Sequence, residues 1–397
     1  MIEQIEQPEF IVTARKWRPL LFSDVIGQEH ITNTLRNALK SNRLHHAFLF
    51  CGPRGVGKTT TARILGRAVN CLNPSADGEP CNECDNCTGV IQGRSLDIIE
   101  IDGASNTGVD DIRQLRENAK YPPSTGKYKM YIIDEVHMLS NNAFNALLKI
   151  LEEPPPHLMF VFATTESHKV PATIVSRCQR YDFRRMELNS IINQLRTISA
   201  KEGITIDDKS LMQIAKKADG SMRDSQSIFD QVVSFCGNTI EYKSLTDALH
   251  LIDEEFYFRI TDCISARDLN EAFVISQDVI NKGYEMTETL SGLLEHLRNL
   301  LTIKATGDTK LIETSDAYRE RYQQTADQFT KPDLLRYIQV INQTETSLRF
   351  ASQPRIKFEL ALAQLASMDK MLEVKDLIEE IRKMDTLPAE QSEVKKK

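Results

Sequence analysis

Short apolar runs alternate with helix-periodic stretches over the first 180 residues. Ala47-Phe48-Leu49-Phe50-Cys51, Asp97-Ile98-Ile99-Glu100-Ile101, Met130-Tyr131-Ile132-Ile133 and Leu158-Met159-Phe160-Val161-Phe162-Ala163 are nearly continuous in hydrophobicity, and a shorter run lies near Tyr181–Phe183. Continuous rather than alternating apolar character marks strands buried on both faces. Between them, Ile31, Leu35, Ala38 and Leu39 share one face of a helix from Gln28 to Lys40. Ala62, Leu65, Ala68 and Val69 do the same over Thr60–Val69. Thr107-Gly108-Val109-Asp110 has capping-box spacing and opens a helix through Ala119. Phe144, Leu147, Leu148 and Leu151 mark a further helix, which Pro154-Pro155-Pro156 must stop. The pattern predicts an α/β domain over residues 1–183, a parallel sheet with helices on both faces.

From about Met186 the strand pattern ends. Helices are expected near 189–201 and 207–218, followed by a third carrying Ile228, Phe229, Val232, Val233 and Cys236 and closed by Gly237-Asn238. Residues 184–243 thus form a small helical domain. Residues 244–370 read as a second all-α domain, with Leu290, Leu293, Leu294, Leu297 and Leu301 at helical spacing. Pro354 stands where a last helix, Ile356 to Ala366, can begin. A charged tail, 371–397, ends in Lys395-Lys396-Lys397.

Composition narrows the class. A chain of 397 residues, 41% hydrophobic and 26% charged, is an ordinary soluble protein of several domains. No apolar run reaches membrane-spanning length, and Met1–Phe10 is too acidic and polar for a signal peptide, so no membrane role and a cytoplasmic location are expected. The net charge of −7 argues against wholesale coating of nucleic acid but permits a local basic surface.

The chemistry concentrates at Gly52-Pro53-Arg54-Gly55-Val56-Gly57-Lys58-Thr59, a complete G-x-x-x-x-G-K-T phosphate loop between a strand and a helix. Backbone N–H groups and the helix N-terminus converge there on phosphate oxygens. Lys58 should reach the β- and γ-phosphates, Thr59 should complete the shell of a Mg²⁺ ion, and Thr60 should lie beside them. Asp134 and Glu135, at the end of a later strand, supply the complementary carboxylates. Asp134 suits Mg²⁺ and Glu135 suits polarising an attacking water. A basic arm over residues 13–28 precedes the loop, which makes Arg18, Pro19, Val25 and Ile26 candidates for the adenine side of an ATP site. Cys71, Cys81, Cys84 and Cys87 have the spacing of a closed tetrahedral shell, for which structural zinc is the expected occupant. An iron–sulfur cluster is the rival, although Cys87 is followed by Thr88 and not by the further Cys-Pro of ferredoxin-type runs.

Phosphate loop, cysteine insertion, Asp134-Glu135-Val136-His137, Thr164-Thr165, Ser176-Arg177-Cys178 and Gly220-Ser221-Met222-Arg223-Asp224 occur in one order and spacing. The series resembles the clamp-loader ATPases of the AAA+ superfamily, the gamma/tau subunits of bacterial DNA polymerase III, over residues 13–370. The resemblance implies an AAA+ module, a helical lid at 184–243 and a collar at 244–370 that holds subunits in a five-membered spiral. It implies Thr165 as the sensor on the sheet, Arg223 as the sensor of the lid and Arg177 as an arginine finger reaching a neighbour's ATP. The implied partners are further copies of this chain, the delta and delta-prime subunits, the sliding clamp and primer–template DNA.

The loop at 102–109 carries Asn106 and Gly108 where some relatives are basic, so DNA contact is expected through Ser105, Thr107, backbone N–H groups and Arg113. Nothing resembles a polymerase active site, so a polymerase label could describe only the holoenzyme. The resemblance ends near the collar, and the polymerase- and helicase-binding domains of longer family members are not expected in this sequence. Two other readings stand beside this one. One is a non-hydrolysing, delta-prime-like structural subunit, against which the complete loop argues. The other is a branch-migration motor, against which the cysteine insertion argues.

Overall fold

The computed structural model describes residues 12–105, 108–249, 252–312 and 316–369. They fall into two compact units, Met1–Ala248 and Leu249–Lys397.

In the first unit the chain runs α1 (Thr13–Lys16), α2 (Glu29–Lys40), β1 (Ala47–Cys51), α3 (Lys58–Asn70), α4 (Asp85–Ile91), β2 (Ile98–Asp102) and α5 (Val109–Asn118). It continues through β3 (Lys129–Asp134), α6 (Asn141–Glu152), β4 (Leu158–Thr164), α7 (Ala172–Val175) and β5 (Gln179–Asp182). The five strands are parallel in the order β2-β3-β4-β1-β5. The centre of the sheet is the most apolar part of the sequence, and β1 and β4 are buried along their whole length.

Alternate residues of each strand feed two cores. Leu49, Tyr131, Ile133, Phe160 and Phe162 pack with α5 and α6 through Ile112, Leu115, Phe144 and Leu147. Phe48, Phe50, Ile132 and Val161 pack with α2 and α3 through Ile31, Leu35, Ile64 and Leu65 on the opposite face. The sheet is therefore covered on both sides, as a parallel sheet requires. The register aligns Cys51 with Thr164 and Asp102 with Asp134, which gathers the strand ends, and the loops leaving them, along one edge.

The same unit continues with α8 (Leu188–Glu202), β6 (Thr205–Ile206), α9 (Asp208–Lys217), α10 (Met222–Cys236), β7 (Thr239–Ile240) and α11 (Tyr242–Ala248). Asp207 and Ser221 cap α9 and α10 by accepting from the Ser210 and Asp224 N–H groups. Gly237, at φ 75, ends α10 where expected. The β6–β7 pair departs from the all-helical expectation, because two β-branched dipeptides are too short to leave a period in the sequence. A second feature without a sequence expectation is α4, a short helix inside the cysteine insertion; Cys84 is its N-cap and Cys87 is buried within it. Asn106 and Thr107, with the capping box drawn through Thr107, lie outside the described residues, as does the tail 371–397.

The second unit contains α12 (Glu254–Ala266), α13 (Leu269–Asn281), α14 (Met286–Thr306), α15 (Asp316–Asp327), α16 (Lys331–Leu348) and α17 (Pro354–Ser367). Its core gathers Phe258, Leu290, Leu293, Leu297, Leu334, Ile341, Phe358 and Leu362. Asp268 and Thr330 cap α13 and α16, and Pro354 begins α17. His296 is enclosed there, its Nδ1 2.9 Å from the Tyr322 hydroxyl and its ring edge-on to Phe258. Among the described residues no helix is long and apolar enough to cross a membrane.

Candidate functional site

At the centre of the sheet β1 delivers the chain into Gly52–Thr59. Gly57, at φ 101, is the N-cap of α3, and that left-handed turn lets the helix begin at Lys58, two residues earlier than its apolar spacing indicates. The Lys58 ammonium curls back under the loop and donates to the Gly52 and Pro53 carbonyls at 2.8 and 2.7 Å. Burial lowers its pKa, while Glu135 and Asp134 act in the opposite sense and favour the charge. Val56 is fully buried, Arg54 is exposed and Thr60 is half-buried at the start of α3.

Thr59 Oγ1 donates to Asp134 Oδ2 at 2.7 Å. A hydroxyl and a carboxylate converging beside a phosphate loop are the oxygen donors that a hard divalent cation such as Mg²⁺ takes. Glu135, next in sequence, has φ 45 and projects differently from Asp134. Its Oε2 accepts from the N–H and the hydroxyl of Thr165, at 3.2 and 3.0 Å. His137 Nδ1 lies 3.3 Å from the same oxygen and 3.0 Å from Thr164 Oγ1, and its Nε2 is 3.5 Å from Glu166. The end of β4 thus holds the Glu135 carboxylate directly and also through an imidazole.

The helical part of this unit meets the phosphate loop at the start of α10. Arg223 N–H donates to the Gly55 carbonyl at 3.4 Å, and a Cβ on Gly55 would stand 2.0 Å from Ser221 Oγ. The arm closes the other side. Trp17 Nε1 and Lys16 bond Glu202, and Thr13 bonds Asp230, so α1 is fastened to α8 and α10. The guanidinium of Arg18 stands among Arg63, Arg223 and Arg15, with Glu100 offsetting them. Val25 is buried with Val56, while Pro19 and Ile26 are half-buried. Arg177 lies elsewhere: it pairs with Glu152 at 2.6 Å and the Thr173 carbonyl at 2.8 Å. Ser105 hydrogen-bonds Asp102 at 2.7 Å, and Arg113 is exposed on α5.

The four clustered cysteines come together. Their sulfurs all lie within 4.8 Å of one another, with Cys81 and Cys87 4.0 Å apart. Four thiolates at about 2.3 Å from one tetrahedral metal stand about 3.8 Å apart, so the set fits a single ion. A multi-iron cluster would spread its cysteines farther. Backbone N–H groups of Glu83 and Cys84 hold the Cys81 thiol down to about 6, while burial pushes the Cys71 and Cys87 thiols up.

Two participants enter the sequence only as members of the motif series, with no role of their own assigned. His137 sits two residues after a recognisable carboxylate, yet nothing local says that it faces Glu135. Ser221 reads only as a helix cap, and its contact with Gly55 is tertiary.

Comparison with known proteins adds the following. Residues 27–187 match the family model for DNA polymerase III, delta subunit. Residues 190–238 match the DNA polymerase III clamp loader subunit, ATPase lid domain, and residues 240–381 match DNA polymerase III subunits gamma and tau domain III. The chain is 37% identical over 359 residues to DNA polymerase III subunit gamma of Buchnera aphidicola, covering 90% of this chain and 98% of that one. It is 40% identical over 351 residues to DNA polymerase III subunit tau of Bacillus subtilis, covering 88% of this chain and 62% of the relative's length. A Thermotoga maritima structure, the RuvB Holliday junction branch migration motor, aligns with a TM-score of 0.45 at 18% identity, over 68% of this chain and 86% of that one.

Proposed function

Because the chain belongs to the gamma/tau subunits of bacterial DNA polymerase III, we propose that it is the ATP-hydrolysing subunit of that enzyme's clamp loader. The observation that carries this reading is the meeting of Lys58 and Thr59, after β1, with Asp134 and Glu135, at the end of β3, across the end of the intervening β4. Residues 52–60 bind the triphosphate, with Lys58 on the β- and γ-phosphates, and Arg18, Pro19, Val25 and Ile26 form the base side. Thr59 and Asp134 would hold Mg²⁺, which when bound neutralises charge developing on the phosphates. Glu135 orients and polarises the attacking water, and Thr165 and His137 fix where its carboxylate points. Cys71, Cys81, Cys84 and Cys87 would hold a structural zinc, whose closed shell leaves no position for catalysis.

Arg223 acts from the lid on the same chain's nucleotide, and its position against Gly55 supports that role. Arg177 acts on a neighbour's ATP; its bonding to Glu152 and Thr173, away from its own loop, supports a role in trans. Residues 1–183 form the nucleotide domain, 184–243 the lid and 244–370 the collar. Further copies of the chain, delta and delta-prime complete the loader, which opens the sliding clamp and places it on primer–template DNA in the cytoplasm. Ser105, Arg113 and the backbone of their loop lie along the DNA.

The test is steady-state ATP turnover with the other loader subunits, clamp and primed DNA. Arg177→Ala should keep nucleotide binding and lose ~10³–10⁵ of the stimulated rate; an unchanged rate refutes action in trans. A non-hydrolysing role as a delta-prime-like subunit follows instead if the isolated protein binds no ATP.

A further inference from the structure

The cysteine module is bonded to the arm that closes over the phosphate loop. The Leu20 carbonyl accepts from Asn82 Nδ2 at 3.3 Å and from Arg67 at 2.9 Å, and Arg67 also donates to Asn82 Oδ1 at 2.9 Å. Asn82 lies inside the Cys81–Cys84 turn at φ 61, so the turn made by the cysteines sets its direction. A second tie lies two residues farther along. The Phe22 and Ser23 N–H groups donate to the Glu79 carboxylate at 2.7 and 3.0 Å, and Glu79 is buried two residues before Cys81. Those N–H groups open the 3-10 turn Phe22–Asp24, where a helical start leaves donors without backbone partners. Val25 follows, its Cγ1 3.8 Å from the place of a Cβ on Gly57. Arg67 belongs to α3, the helix that leaves the loop. The arm is therefore gripped from both sides, by the loop helix and by the cysteine turn.

We propose that the cysteine module is a positioning device for the nucleotide base: with its metal bound it fixes residues 20–25 beside the phosphate loop, and nucleotide affinity depends on that. The proposal rests on the reading of residues 18–26 as the base side of the site. None of residues 81–86 is fully buried, so little apolar burial orders the turn. A metal held by four thiolates supplies that order, and without it Asn82 and Glu79 lose their fixed positions. The phosphate contacts of residues 52–59 do not pass through the module, so the effect falls on the base alone.

The experiment compares the full chain loaded with zinc and stripped by a chelator under reducing conditions. Amide hydrogen exchange is followed over residues 19–25, with affinity for ATP, ADP and inorganic tripolyphosphate. Stripping should speed exchange at Phe22 and Ser23 and weaken ATP and ADP by the same factor, about tenfold, with tripolyphosphate unchanged. Glu79→Gln and Asn82→Ala should act in the same direction with full metal content, which separates positioning from collapse of the module. Unchanged exchange and affinity after stripping overturn the proposal, as does an equal loss for tripolyphosphate. If loaded protein binds ADP no better than pyrophosphate, the base-side reading fails, and the exchange result alone then decides whether the module holds the arm.

Discussion

Glu135 carries its carboxylate on a backbone at φ 45, a conformation costing about 1–3 kcal/mol for a residue with a Cβ. The strain turns the side chain toward the end of β4, where Thr165 and His137 meet it. Glu135→Gln keeps a group able to bond Thr165 while removing the base. Nucleotide binding should survive, and ATP turnover by the assembled loader should fall by ~10²–10⁴. A second residue-scale prediction concerns His296. Burial, then the nearby Arg321, depress its imidazole to about 3, against an unfolded value near 6.5. The unfolded chain then binds the extra proton between those values. His296 therefore contributes full stability above pH 6.5 and loses it as pH falls toward 3, by at most about 1.4 kcal/mol per unit. Thermal unfolding from pH 7 to pH 4 should show wild type losing ground to His296→Gln. At this scale the glycine loop and the Asp134–Glu135 pair are legible because their chemistry is local. His137 is not, because Thr164 and Glu166, which hold it beside Glu135, arrive from the end of another strand.

The lid reaches the loop through one helix start. Ser221 caps α10 by accepting from Asp224 N–H, and Ser221→Ala should cost about 1 kcal/mol of stability, read by chemical denaturation. The same hydroxyl occupies the space that a Cβ on Gly55 would need, and Gly55 has φ 74. Gly55→Ala should push the start of α10 off the loop and weaken nucleotide binding more than Ser221→Ala does, as equilibrium titration would register. The strands and longer helices are readable from sequence because a sheet buried on both faces needs unbroken apolar runs and an amphipathic helix repeats its pattern. The helix α4 and the β6–β7 pair are not, since seven and two residues are too few to show a period.

For the molecule as a whole, the proposed division of labour between protomers is tested by a mixing experiment. Loaders built only from Lys58→Ala chains, or only from Arg177→Ala chains, should be nearly inactive. Loaders assembled from a mixture should recover part of the DNA-stimulated turnover, because one variant still holds ATP and the other still offers its arginine. No recovery would mean that each chain works alone. The succession of an α/β part and helical parts is legible in the alternation of periods; the fastening of α1 to α8 and α10 is not, because ion pairs leave no hydrophobic trace. The strand order has a further consequence for how the protein is made. β1 pairs with β4 and β5, whose sequence begins about 110 residues later, so its apolar edges have no neighbours when it leaves the ribosome. At 5–20 residues per second the wait is on the order of ten seconds. The newborn chain thus holds its nucleotide-binding segment unformed and sticky for that interval, which makes early synthesis the moment at which a chaperone would matter most.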